Sequence, residues 1–122
     1  MTVNEGDTFL FEYPEPYNHL FIVITKVENG TVACTMITSV KGNPNHDDPA
    51  CIIHAGDHPF IKHDSFIAYK NTVIFEESML IKNLENGIYP KKEPVTPALL
   101  AKIKAGAFNS KKIQPRFLKY YK

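Results

Sequence analysis

One stretch of nineteen residues, 51–69, carries most of the side chains in this chain that could do chemistry. Histidine is the side chain whose ordinary pKa lies near neutrality, so a cluster of histidines can transfer protons or bind a metal ion at physiological pH. This segment is therefore the first candidate for a functional site. Its chemically active residues are Cys51, His54, Asp57, His58, Lys62, His63, Asp64, Ser65 and Tyr69.

A zinc site is one alternative use of this segment. Thiolate and imidazole are acceptable zinc ligands, but their spacing here matches no standard structural zinc pattern. Gly56 and Pro59 also argue against a helix that would place the first two histidines on one face. The main prediction therefore includes no cofactor and no metal. The ligands of the alternative would be Cys51, His54, His58 and His63.

The composition bounds the class of protein. With 122 residues, 43% of them hydrophobic, the chain is long enough for one hydrophobic core and too short for two. The sequence therefore predicts a single domain over residues 1–108. No apolar run approaches the ~20 residues of a membrane-spanning helix, and the opening MTVNEGDTF lacks the features of an export signal. We expect a cytoplasmic protein without a membrane partner, with Cys34 and Cys51 as reduced, buried thiols.

The net charge of +1 conceals a division along the chain. Residues 1–93 carry 13 acidic and 7 basic side chains, whereas residues 94–122 carry 7 basic and no acidic ones. A basic segment with aromatic residues suits phosphate neutralisation and base stacking, or an acidic protein partner. The alternatives are a solvated tail or one that folds back on the acidic body. The predicted basic tail is 109–122, with Lys111, Lys112 and Arg116 as candidate binding residues.

The first seventy or so residues have the composition of short strands and turns. The Asn29-Gly30 pair predicts a tight hairpin turn. Residues 39–48, rich in Gly, Asn, Pro and Asp, predict a mobile exposed loop, and residues 76–87 a short helix or turn. Strand composition recurs in residues 8–12, 19–25, 32–38, 51–54, 65–69 and 72–75.

The clearest helix signal lies near the C-terminus. Thr96 is a suitable N-cap, Pro97 fits the first helical position, and Gly106 is a good stop. The sequence therefore predicts a helix over 97–105. The whole pattern indicates a mainly β fold, a small, partly open β-barrel followed by one C-terminal helix and the basic tail.

Several short motifs resemble those of the PemK/MazF-like toxins, in the same order over roughly residues 5–75. Gly6-Asp7 followed by an apolar strand resembles the family's first strand, and residues 19–25 fall where the family has an Arg-Pro-apolar strand. Thr38-Ser39 is similar to its Thr-Ser strand end, and Ser65 to the serine that leads the next strand. The resemblance implies an SH3-like barrel, usually dimeric, that cuts single-stranded RNA without a metal and is neutralised by an acidic antitoxin-like protein.

The resemblance places Thr38 at the family's catalytic threonine, but the catalytic arginine does not carry over, because His19 occupies about that position. Metal-independent RNA cleavage requires a base, an acid and a group that stabilises the charge on phosphorus. The candidates are His19, His58 and His63 as acid and base, Lys62 for the phosphate, and Thr38, Ser65 or Tyr69 to orient it. A catalytically silent module that binds RNA or a protein remains the alternative, since the arginine is missing.

Overall fold

The computed structural model describes all residues 1–122 and shows a mainly β protein, a six-stranded antiparallel sheet curled into a half-barrel. Two α-helices and two short 3-10 helices flank the sheet. The strands are β1 (Thr8–Glu12), β2 (Asn18–Val27), β3 (Thr31–Ser39), β4 (Ile52–Ile53), β5 (Ser65–Glu76) and β6 (Lys91–Lys92). The helices are α1 (Glu77–Glu85), α2 (Pro97–Gly106) and the 3-10 helices Ala107–Asn109 and Pro115–Tyr121.

The strands lie in the order β4-β5-β3-β2-β1-β6. The two edge strands, β4 and β6, do not pair with each other, so the sheet is an open half-barrel. The predicted hairpin between β2 and β3 is confirmed: Asn29 and Gly30 both have positive φ, 65° and 72°, as a type I′ turn requires. None of the helices is both long and apolar enough to cross a membrane.

The sheet carries an apolar core on each face because successive side chains of a strand point in opposite directions. On the first face, β2 residues such as Leu20 and Ile22 pack with Leu99 and Ile103 of α2. On the second face, Phe21 belongs to a separate core that also includes Leu80 and Leu84 of α1. Helix α1 therefore covers part of the second face.

A wide bulge interrupts β5 opposite the middle of β3. Cys34 pairs with Val73 and Met36 with Ala68, so Thr35 alone lies opposite the four residues 69–72. Two threonine hydroxyls satisfy carbonyls within the bulge: Thr35 donates to Ala68 and Thr72 to Tyr69. Bulges of this kind redirect side chains near functional sites. The two strand segments predicted over 65–75 are thus one long, bulged strand.

The C-terminal segment, residues 109–122, packs against the body of the protein. Its 3-10 helix buries Phe117 and Tyr121 in the core of the first face, beside α2. The Tyr121 hydroxyl lies 2.6 Å from the Thr72 hydroxyl in the bulge. The segment therefore folds back on the chain, which was one of the alternatives left open by its charge.

Candidate functional site

An open cleft of about 640 Å³ lies on the second face of the sheet. Strands β2, β3 and β5 form its floor, and the loops after β3 and before β5 form its walls. The cleft collects six basic or imidazole side chains from these elements: His19, Lys41, His46, Lys62, His63 and Lys70.

Strand register brings His19 and Thr38 to the cleft floor. Leu20 of β2 pairs with Ile37 of β3, and both point to the first face. His19 precedes Leu20 on β2 and Thr38 follows Ile37 on β3, so both side chains point to the second face, and both line the cleft. Two residues nineteen positions apart in the sequence are thus neighbours, as the hypothesis of a shared site requires.

A backbone carbonyl fixes the protonation pattern of His19. Its Nδ1 atom lies 2.7 Å from the Tyr13 carbonyl oxygen. Because a carbonyl oxygen only accepts hydrogen bonds, Nδ1 is the protonated nitrogen. In the neutral ring, Nε2 then carries the free lone pair and is available as a base.

His63 forms a short hydrogen bond with a serine hydroxyl. The Ser39 Oγ atom lies 2.6 Å from His63 Nε2, and both residues line the cleft. Ser39 is the last residue of β3, so the sheet positions its hydroxyl. This contact orients the exposed His63 ring toward the end of β3.

The third imidazole of the cleft, His46, is paired with a carboxylate. Its Nδ1 donates to Asp47 across 2.8 Å, and the same carboxylate accepts hydrogen bonds from the backbone N–H groups of Lys41 and Gly42. The Lys41 N–H, together with the His46 ring, lowers the pKa of Asp47 to about 2. Asp47 is therefore ionised at neutral pH, and its hydrogen bonds connect Lys41, Gly42 and His46 within the loop after β3.

The lining of the cleft contains no carboxylate, although acidic residues outnumber basic ones in residues 1–93. None of its lysines, Lys41, Lys62 and Lys70, forms an ion pair or a side-chain hydrogen bond within the protein. Lys70 reaches the cleft because it sits in the β5 bulge. Three unpaired ammonium groups around one cavity give it a positive potential that attracts anions.

Exposed aromatic rings border the same cavity. Tyr17 is 66% exposed and Phe60 is 42% exposed, and both line the cleft. Phe66 lies on the floor, where the His46 ring meets it edge-on at 5.4 Å. Exposed aromatic faces beside ammonium groups are the combination that binds the bases and phosphates of a single strand.

His58, which the sequence grouped with the acid and base candidates, lies outside the cleft. It is only 2% exposed. Its Nε2 donates to the Glu93 carbonyl at 2.5 Å, and its Nδ1 accepts from the Phe60 N–H at 3.0 Å. With both nitrogens engaged by the backbone, His58 joins the 54–64 loop to the segment before α2 and has no free atom for substrate.

Ser65 and Tyr69 are also buried. The Ser65 hydroxyl donates to the carbonyl of His63, which helps to shape the loop that presents that imidazole. The Tyr69 hydroxyl donates to the Ile103 carbonyl at 2.6 Å, and burial raises its pKa well above the usual value. Neither side chain lines the cleft.

The structure does not assemble the four residues of the zinc alternative. His54 is exposed and bonds Asp64 at 3.1 Å, whereas Cys51 is buried and burial raises the pKa of its thiol. His58 is bound by the backbone as described. No group of three or more histidine, cysteine or acidic side chains is arranged to hold a metal ion. Cys34 and Cys51 are both buried free thiols, as predicted.

The basic residues of the C-terminal segment lie away from the cleft. Lys112 donates to the carbonyls of Pro44 at 3.0 Å and Asp47 at 2.7 Å. Lys111 and Lys112 border a second cavity of about 460 Å³ that also includes Asp47 and Asp48. Arg116 stacks on the ring of Phe117 at 4.7 Å.

Sequence reasoning missed several cleft residues: Ser39, Lys41, His46 and Lys70. His46 stood in a loop whose composition indicated only mobility, although the following paired aspartates were a signal for a carboxylate-bound imidazole. Lys70 gave no signal, because the bulge that exposes it depends on the partner strand.

No family model, curated protein or solved structure matches this chain. A function for the chain therefore has to be inferred from the residues and geometry of the cleft.

Proposed function

We propose that this protein binds single-stranded RNA in the cleft and cleaves it without a metal ion. The observation that carries the proposal is the makeup of the cleft: three unpaired lysines, three histidines, exposed aromatic rings and no carboxylate. The same residues would supply the phosphate contacts, the base-stacking surfaces and the proton carriers of the reaction.

The charge pattern favours a polyanionic ligand. The body of the chain is acidic overall, so a cavity whose lining includes three lysines and three histidines but no carboxylate concentrates positive potential at one place. Each lysine that neutralises a phosphate releases a condensed counterion, which supplies much of the affinity of nucleic-acid binding.

The exposed rings favour a single strand over a duplex. Tyr17 and Phe60 present aromatic surface to solvent at the cleft, and unpaired bases stack on such surfaces for roughly 1–3 kcal/mol each. Bases within a duplex are already stacked and paired, so they gain little from these rings.

The imidazoles supply the chemistry of transphosphorylation. In this reaction His19 Nε2 removes the proton of a 2′-hydroxyl, and the 2′-oxygen forms a bond to the adjacent phosphorus. The bond from phosphorus to the 5′-oxygen breaks, and a second imidazole of the cleft returns a proton to that oxygen. The products are a 2′,3′-cyclic phosphate and a 5′-hydroxyl. Lys62 and the Thr38 hydroxyl contact the phosphate and stabilise its developing charge.

The family resemblance adds a narrower form of this proposal. Thr38, at the position of the catalytic threonine of PemK/MazF-like toxins, lines the cleft together with His19, which stands near the position of their arginine. An SH3-like ancestry, a homodimer and an acidic antitoxin-like partner belong to this narrower form. Such a partner would occupy the cationic cleft and compete with RNA.

The test is a pair of measurements on the same variants. Fluorescence anisotropy measures binding of a single-stranded RNA, and gel analysis measures its cleavage at pH 6–8 in the presence of EDTA. We expect His19→Ala to bind RNA but cut it at least about 100-fold more slowly, because it lacks the base. His54→Ala is the matched control, since His54 is exposed, lies outside the cleft and should leave both measurements unchanged.

The missing arginine favours one second candidate, a module that binds RNA without cutting it. Wild-type protein that binds the RNA yet leaves it intact at pH 6–8 would establish this candidate and overturn the nuclease. Failure of the wild type to bind either single-stranded RNA or a DNA oligonucleotide of the same sequence would overturn both.

A further inference from the structure

We propose that His46, oriented by Asp47, is the general acid that protonates the departing 5′-oxygen. This assignment rests on the proposed function and names the second imidazole of that reaction. It concerns a residue that neither the histidine cluster of residues 51–69 nor the resemblance to a toxin family pointed to.

The first argument is the partner that each cleft imidazole holds. A general acid must carry its proton before the reaction, and a neighbouring carboxylate favours the protonated form of an imidazole. His46 is the only cleft histidine bonded to a carboxylate, at 2.8 Å from Asp47. His19 is bonded to a neutral carbonyl and His63 to a neutral hydroxyl.

The second argument is the atom left free for substrate. The Asp47 carboxylate accepts a hydrogen bond from Nδ1–H, so Nε2 of His46 is the nitrogen that can give a proton to a ligand in the cleft. In His63, by contrast, Nε2 is already engaged by Ser39 at 2.6 Å. The free Nε2 of His19 acts as the base, so the base lies on the floor of the cleft and the acid on a wall.

The third argument is the rigidity of the loop that carries His46. The Asp47 carboxylate binds the N–H groups of Lys41 and Gly42, and Lys112 from the C-terminal segment binds the Asp47 carbonyl. The titratable groups that share the cleft with His46 are Lys41 on its own loop, Lys62 and His63 on the loop before β5, Lys70 on β5 and His19 on β2. The ring of Phe66, from the sheet, meets His46 edge-on at 5.4 Å. A proton donor held in this way needs little reorganisation during the reaction.

The test uses a substrate that does not need an acid. Replacing the 5′-oxygen at the cleavage site by sulfur makes a leaving group that departs as a thiolate without protonation. We expect His46→Ala to cut ordinary RNA roughly 100- to 10,000-fold more slowly than wild type but to approach the wild-type rate on the sulfur-bridged RNA. His19→Ala, which lacks the base, should stay slow on both substrates.

Asp47→Asn provides a second readout. It should slow cleavage of ordinary RNA more than cleavage of the sulfur-bridged RNA, because the imidazole loses the carboxylate that orients its Nε2 toward the cleft. Equal rates for Asp47→Asn and wild type on ordinary RNA would count against the assignment.

The remaining outcomes are distinct. If His46→Ala cut both substrates equally slowly, or cut ordinary RNA at the wild-type rate, the role of His46 would be overturned. If the sulfur-bridged RNA restored the rate of His63→Ala instead, the role would belong to His63. Wild-type protein that binds RNA but cuts neither substrate would overturn the nuclease itself, and the acid with it. RNA anisotropy on each variant shows that the cleft remains folded.

Discussion

The hydroxyl of Tyr69 lies 2.6 Å from the carbonyl oxygen of Ile103, and this hydrogen bond joins the bulge of β5 to helix α2. The approach is close enough to exclude a side chain at position 106. A Cβ atom on Gly106 would lie 2.5 Å from the Tyr69 hydroxyl and 2.9 Å from Cys51 Cβ. The glycine that the sequence presented as a helix stop is therefore also a packing requirement.

Gly106→Ala should destabilise the protein, although alanine normally favours a helix by up to about 1 kcal/mol over glycine. We expect a loss of roughly 1–3 kcal/mol, because the added methyl group overpacks the contact with Tyr69 and Cys51. Urea unfolding measures the change. The exposed position 105 is the control, where Ala105→Gly should show only the ordinary helix penalty; a stabilised Gly106→Ala variant would contradict the packing described.

Single substitutions of the cleft lysines should weaken RNA binding and its dependence on salt. Lys62→Ala or Lys70→Ala removes one unpaired ammonium group and should lower the slope of log affinity against log salt by about 0.7 for a single strand. Titrations at several salt concentrations give this slope. Lys82→Ala on α1 is the matched control, because this lysine is exposed and lies outside the cleft. An equal effect at position 82 would show that binding is diffuse.

His58 and His63 should separate stability from function. His58→Ala leaves the part-buried N–H of Phe60 without its partner and removes a bond to Glu93, so it should cost about 2 kcal/mol of folding free energy. His63→Ala, at an exposed position, should change stability by less than about 0.5 kcal/mol. Thermal unfolding compares the two. A stable His58→Ala variant with impaired RNA cleavage would reverse this assignment.

Alkaline pH should unfold the protein through its buried phenols and thiol. Burial raises the pKa of Tyr121 to about 12, and it also raises those of Tyr69 and Cys34. Because these groups ionise more readily in the unfolded chain, their contribution is complete below about pH 9 and is lost as pH rises through the folded values. Tyr121 alone should account for roughly 2–3 kcal/mol between pH 10 and 12.

The variant that checks this prediction is Tyr121→Phe, which should flatten the loss of stability above pH 10. Tyr13→Phe is the control, since Tyr13 is 41% exposed and its phenol is not held in the core. Stability measured by urea unfolding at pH 8 to 11 gives both curves. Identical curves for wild type and Tyr121→Phe would show that the buried phenol does not govern alkaline unfolding.

Lys112→Ala should loosen the loop that carries His46. The ammonium group binds two carbonyls of that loop, those of Pro44 and Asp47. We expect faster hydrogen exchange over residues 41–48 with little change in the sheet. Lys111→Ala is the control, because this neighbouring lysine makes no such hydrogen bonds. Unchanged exchange in Lys112→Ala would mean that Asp47 alone orders the loop.

Features set by local chemistry could be predicted from the sequence. The Asn29-Gly30 turn and the α2 start need only neighbouring residues: the Thr96 hydroxyl caps the Leu99 N–H at 3.1 Å. The β5 bulge could not be predicted, since it arises from pairing with β3 and leaves no periodic signal over residues 69–72. The strand order of the sheet also depends on contacts between distant segments, which a strand pattern does not contain.

The residues of the candidate site could likewise be predicted only in part. Residue type pointed to His19, Lys62 and His63, and the resemblance to a family pointed to Thr38; all four lie in the cleft. The same reasoning included His58, Ser65 and Tyr69, whose side chains are buried, because chemical type does not reveal burial. The charges of the C-terminal segment likewise favoured a binding or solvated tail, whereas Phe117 and Tyr121 of this segment are buried in the core.

The burial of Phe117 and Tyr121 has a consequence for synthesis of the protein. When β5 has emerged from the ribosome, every strand but β6 has emerged. The first face of the sheet still lacks α2 and the rings of Phe117 and Tyr121 at that stage. The nascent chain must therefore carry an uncovered apolar surface until residue 121 emerges, and chaperones would have their best opportunity to bind during that interval.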